Sequence, residues 1–135
     1  MKVIPIFASA GITGFESPAS EYTQLALDLD EILIQHPSAT FIGQACGDSM
    51  QGVGIFDHDF LIVDRHVQPL NGDVVVANYN GEFVCKILDT VNRQLLSANT
   101  GFAPVHVSEA DSFSLEGVVV HSIRNHRARE FPFSQ

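Results

Sequence analysis

Val74-Val75-Val76-Ala77-Asn78-Tyr79-Asn80-Gly81-Glu82-Phe83-Val84-Cys85-Lys86-Ile87-Leu88 is the stretch whose reading decides the fold. Two apolar runs rich in β-branched residues flank Asn80-Gly81, a pair that tolerates the positive φ of a tight turn, so the segment predicts an antiparallel hairpin. Its second run also carries an ammonium group where ammonium groups are disfavoured. Lys86 is one of only two lysines in the chain, the other being Lys2. A lysine desolvated there can lose its proton near neutral pH and act as a general base. In an extended strand, however, Lys86 shares a face with Glu82, Val84 and Leu88, and strands commonly leave one face wet. The hairpin alone leaves both readings open.

Working outward, Thr40-Phe41-Ile42 leads into the turn Gly47-Asp48-Ser49-Met50, and Phe60-Leu61-Ile62-Val63 follows Asp57 and Asp59. Further strands are expected over Leu95-Ser97, Pro104-Val107 and Phe113-Ile123, with turn residues Asn99, Gly101 and Asp111 between them. Many short strands without regular helices predict a mainly β fold with at most one or two short helices. One such helix is expected after an Asp28 cap, through Leu29, Ile32 and Leu33. It ends near His36, because Pro37 disfavours helical geometry in the residue before it. Residues 1 to about 27 contain Gly11, Gly14, Ser17, Pro18, Ala19 and Ser20 without sustained periodicity, and read as an extended, mobile, cleavable arm. The organisation is therefore an arm with a short helix over residues 1–35, one domain over 36–123 and a tail over 124–135.

With 135 residues and 45% hydrophobic side chains, the chain can build one core and is too short for two ordinary domains. Sixteen acidic residues against seven Lys plus Arg give a net charge of -9, which opposes phosphate binding, so no sequence-specific DNA binding is expected. Arg124, Arg127 and Arg129, with His121 and His126, form the one basic cluster and read as a solvated tail. Cys46 and Cys85 are too few for a disulfide scaffold and read as reduced thiols of a cytoplasmic protein. Nothing in the sequence places a histidine beside Cys46 to activate it. The six histidines show no HExxH pair, so neither a metal nor a cofactor is expected. Lys2 followed by Val3-Ile4-Pro5-Ile6-Phe7 and Ala8-Ser9-Ala10 imitates a signal peptide, but the apolar run is too short. No stretch approaches the ~20 apolar residues of a membrane helix, so a soluble protein with no membrane partner is expected.

A serine after Gly-Asp is by itself an ordinary turn or cap residue. Several motifs in order say more. Ser17-Pro18-Ala19, His36-Pro37-Ser38-Ala39-Thr40, Gly47-Asp48-Ser49-Met50, Asp59-Phe60-Leu61-Ile62-Val63-Asp64 and Gly81-Glu82-Phe83-Val84-Cys85-Lys86 together resemble the LexA/UmuD family of self-cleaving serine peptidases, its UmuD-type members most closely. The resemblance spans nearly the whole chain. It implies a compact β fold shared with signal peptidases, Ser49 as nucleophile and Lys86 as general base. The chemistry asks for such surroundings, since a lysine of ordinary pKa near ~10.4 is protonated at pH 7 and must be desolvated to accept the serine proton.

The resemblance also implies that the substrate is the arm itself, cut at a small-residue–Gly bond with help from a RecA filament on single-stranded DNA. Two bonds compete. Ala10-Gly11 is preferred because Ala suits a small pocket better than β-branched Thr, while Thr13-Gly14 better matches the position of Gly14-Phe15-Glu16-Ser17-Pro18-Ala19. The implied protein is a homodimer whose trimmed form is an accessory subunit of an error-prone, UmuC-type translesion polymerase in the SOS response. A non-catalytic polymerase-regulating subunit is the alternative. A LexA-like repressor fragment is a third reading, opposed by the lack of a helix-turn-helix pattern and by the acidic charge.

Overall fold

The computed structural model describes residues 1–6 and 29–127. The cleavage candidates Ala10, Gly11, Thr13 and Gly14, and the proposed Asp28 cap, lie outside the described residues. Eight strands are present: β1 (Lys2–Ile6), β2 (Thr40–Cys46), β3 (Phe60–Asp64), β4 (Val74–Tyr79), β5 (Glu82–Asp89), β6 (Gln94–Leu96), β7 (Val105–His106) and β8 (Phe113–Ile123). The short helix α1 spans Leu29–Leu33 and buries none of its residues. Among the described residues, no helix is long and apolar enough to cross a membrane. The mainly β class read from the sequence is the class observed.

The strands form one sheet in the order β1-β2-β3-β8-β4-β5-β6-β7, and β1 pairs a second time with β5. That pairing closes six strands into a barrel and leaves β6 and β7 as an extension from β5. The hairpin is as expected: Asn80 and Gly81 turn at φ 50 and 89, with Tyr79 opposite Glu82. On β4, Val76 packs with Leu61, Val63 and Cys85, while Val75 packs with Leu88, Leu95 and Val118. Burial on both faces explains why Val74 to Ala77 is a continuous apolar run rather than an alternating one. β8 is long enough to serve both β3 and β4, and its register shifts once against each, between Ile62 and Val63 and between Val76 and Ala77. Such bulges bend a strand and increase its twist, as barrel closure requires.

The first residues correct the sequence reading. Residues 2–6 are not part of a mobile arm; they are β1, in register with β2 from Lys2 opposite Cys46 to Ile6 opposite Ile42. Lys2 also pairs with Val84, and the Met1 carbonyl accepts a 2.7 Å hydrogen bond from Cys85 N–H. Met1 and Val3 are buried, at 8% and 5% exposure. Five residues containing a proline are too few for a signal-peptide core but suffice for a strand. Gly43 makes room for this strand, since a Cβ there would overlap Val3 Cγ1.

At the far end of β2, His36 Nδ1 and Asp64 Oδ2 lie 2.6 Å apart, and His66 N–H donates to Asp64 Oδ1 at 2.8 Å. Burial alone would push the Asp64 carboxyl up, but the hydrogen bond from His36, with backbone N–H donation from His66 and Val67, holds it below the ordinary 3.8. A depressed carboxylate contributes stability above its unfolded pKa, and this is lost as pH falls through the folded value. His36→Ala should therefore move the acid unfolding midpoint, followed by circular dichroism, to higher pH; an unmoved midpoint would refute the pairing. Separately, Val3→Asp should cost about 2–4 kcal/mol in urea unfolding, because it buries an unpaired charge in the strand that closes the barrel. A wild-type midpoint in that variant would exclude β1 from the core.

Candidate active site

β2 delivers the chain to Gly47, whose φ of 107 turns it out of the sheet. Gly47 N–H donates to Asp57 Oδ1 at 2.8 Å, which ties the turn to the loop beyond it. Ser49 follows, 2% exposed. Among the described residues, its Oγ is the buried side-chain polar atom without a hydrogen-bond partner. Leaving a buried hydroxyl unpaired costs on the order of 1–3 kcal/mol, a cost found where a further group completes the bonding.

Lys86, from the middle of β5, is half-buried rather than solvated. Its Nζ donates to Ser97 Oγ at 2.7 Å and lies 5.9 Å from the centroid of the Phe102 ring. Ser97 directly follows β6. The next two residues bind the serine turn: Ala98 N–H donates to the Ser49 carbonyl at 2.8 Å, and Asn99 Nδ2 to the Asp48 carbonyl at 3.0 Å. Gly52 N–H returns a 2.6 Å bond to the Ala98 carbonyl, an approach that a Cβ on Gly52 would obstruct. One tripeptide thus touches Lys86 with its first residue and the Ser49 turn with the other two. Ser97 carried no signal in the sequence, where a serine at a strand end is unremarked.

The titratable groups nearby are distinctive. Burial, and then the charge of Lys86, lower the Met1 α-amino group from 8.0 to about 6. Burial pushes the Cys85 thiol up to about 12, and burial followed by Asp57 raises that of Cys46. Both cysteines are free. Thiols held protonated are poor nucleophiles, which argues against cysteine chemistry at this site.

The loop after the serine turn is clamped from a distance. Arg124 donates through Nε and Nη2 to the two carboxylate oxygens of Asp59 at 3.0 and 3.1 Å, and through Nη2 to the Gly54 carbonyl at 2.8 Å. Its guanidinium lies 4.1 Å from the Phe56 ring centroid, and the Asp59 side chain is 1% exposed. Such a two-pronged pair is strong and directional. The sequence neighbourhood of Arg124 suggested a solvated tail; instead Arg124 binds Gly54 and Asp59 and stacks on Phe56, in the loop that follows the Ser49 turn.

Comparison with known proteins agrees with the motif reading. Residues 4–120 match the peptidase S24-like family. Protein ImpA of Escherichia coli is 40% identical over 134 residues, covering 95% of this chain and 87% of that protein. Protein SamA of Salmonella typhimurium is 36% identical over 122 residues, covering 90% and 87%. The LexA repressor of Pseudoalteromonas atlantica is 36% identical over 110 residues, which covers 79% of this chain and 53% of the repressor. A match over most of the chain, with relatives of this identity, means that the chain belongs to the peptidase S24-like family.

Proposed function

We propose that this chain is a self-cleaving serine peptidase with Ser49 as nucleophile and Lys86 as general base. Its substrate is its own N-terminal segment. The observation that carries the reading is the buried, partnerless Ser49 hydroxyl, on a turn whose backbone carbonyls are bound by the same tripeptide that engages Lys86. A serine assigned only a capping or turn role has no need to bury an unsatisfied oxygen.

In the reaction, Ser49 Oγ bonds to the scissile carbonyl carbon as its proton passes to the neutral Lys86 amine. Backbone N–H groups of the turn stabilise the oxyanion. The C–N bond then breaks, and the proton moves from Lys86 to the leaving nitrogen. The N-terminal piece remains as an ester on Ser49. A water molecule, its proton taken by Lys86, hydrolyses that ester and restores the serine. No metal or cofactor enters the sequence of steps. Tethering the substrate makes the attack effectively intramolecular, so a modest nucleophile suffices once the segment docks.

The motif resemblance and the family match support the biological half of the proposal: a cytoplasmic homodimer acting in the SOS response, whose trimmed form is an accessory subunit of a UmuC-type error-prone polymerase. A RecA filament on single-stranded DNA promotes cleavage by binding the cleavable pose preferentially, without supplying catalytic groups. Ala10-Gly11 is the preferred bond and Thr13-Gly14 the alternative.

Intact mass before and after incubation with RecA, an ATP analogue and single-stranded DNA tests the proposal. Loss of residues 1–10 is expected, loss of residues 1–13 would move the site to Thr13-Gly14, and Ser49→Ala should stay uncut while retaining its fold. Trimming of Ser49→Ala at the wild-type rate would remove Ser49 from the chemistry.

A further inference from the structure

We infer that Ser97 is a positioning residue for the general base: its hydroxyl accepts one amine hydrogen of Lys86, so that the nitrogen lone pair is left to face Ser49. This rests on the Ser49–Lys86 reading above. The physical need is plain. A lysine stem has four carbons and many rotamers, so an amine without a fixed partner samples many directions. The neutral amine has two hydrogens and one lone pair, and proton transfer from a hydroxyl requires the lone pair to be aimed. Ser97 Oγ, 2.7 Å from Nζ, fixes one hydrogen.

The anchor is itself fixed against the nucleophile. Ser97 follows Leu96 of β6, and β6 is paired to the strand that carries Lys86, with Ile87 opposite Leu96. Ala98 and Asn99 bind the carbonyls of Ser49 and Asp48, and Gly52 binds Ala98. Any shift of Ser97 therefore pulls on both partners at once. A serine at this point also differs from Ser49 in a telling way. Its oxygen already has a partner, whereas that of Ser49 has none.

A hydroxyl that accepts from Lys86 also favours the ammonium over the amine. Removing it should lower the cleavage rate and, at the same time, bring the alkaline rise of that rate to lower pH. Among the described residues, the titratable groups that interact with Lys86 are the Met1 amine, just ahead of β1, and the Cys85 thiol on β5, while the charge of Asp48 in the serine turn acts on the Met1 amine. All three remain in the variants, so a difference between them reports Ser97.

The experiment follows unassisted self-cleavage of the full chain by intact mass across neutral and alkaline pH, with circular dichroism to check each fold. Ser97→Ala should lower the alkaline plateau about tenfold and move the rising limb to lower pH. Ser97→Thr keeps the hydroxyl and should hold the plateau within about threefold, with the limb in place. A wild-type plateau and limb in Ser97→Ala would overturn the inference. So would a loss of rate with an unmoved limb and no recovery in Ser97→Thr, which would leave only a structural role. Ser97→Ala as inert as Ser49→Ala, with Ser97 labelled by a serine-acylating reagent, would make Ser97 the reacting group instead. Wild-type cleavage in Ser49→Ala or Lys86→Ala would signal failure of the dyad reading itself.

Discussion

The width of one strand sets the geometry of this molecule. β1 is hydrogen-bonded on one side to β2, which leads to Ser49, and on the other to β5, which carries Lys86. With strands ~4.8 Å apart, the backbones of β2 and β5 are held roughly 10 Å from one another. A turned-in serine and a long lysine stem can meet across such a gap. Lys2 is level with both Cys46 and Val84, so Lys86 lies just beyond that level within β5 and Ser49 just beyond it in the turn that follows β2. Without β1 the barrel has two open edges, and the Ser97-Ala98-Asn99 segment is left to tie the two residues together. Either candidate cleavage bond lies downstream of β1. Cleavage would thus sever a core strand from the rest of the chain, leaving it held by pairing alone or reopening the slot.

Much of this was legible because it is local. Asn80-Gly81 names its own turn, and the runs over residues 74–77 and 83–88 name their strands. Lys86 stands out because a charge in an apolar strand is rare. β1 is silent in the sequence for the opposite reason. Lys2 to Ile6 has no turn or periodic signal of its own, and it becomes a strand through partners some 40 and 80 residues away. Arg124 likewise sits among basic neighbours in the sequence, while its partner in space is Asp59, 65 residues upstream. Ser97 left no trace in the pattern, because a small polar residue at a strand end fits many roles.

Local chemistry at the site favours an oxygen nucleophile. Burial raises the pKa of both thiols, and the serine turn is tied by Ala98 and Asn99 and, through Gly47 N–H, by Asp57 of the loop that Arg124 clamps. Bracing of this kind is what a weak nucleophile needs, since the gain from tethering is realised only when the reacting atoms are held in line. Lys86 in turn rests on a hydroxyl rather than a carboxylate. A carboxylate at that place would stabilise the ammonium strongly and work against a base.

The central claim is that Lys86 acts as a neutral amine, and the pH dependence of unassisted cleavage in Lys86→Arg against wild type tests it most directly. Arginine keeps the positive charge but stays protonated at every accessible pH, so it can pair but cannot accept a proton. The wild-type rate should climb through alkaline pH, and Lys86→Arg should be inactive throughout while remaining folded. A Lys86→Arg protein that cleaves with the wild-type pH profile would contradict the account.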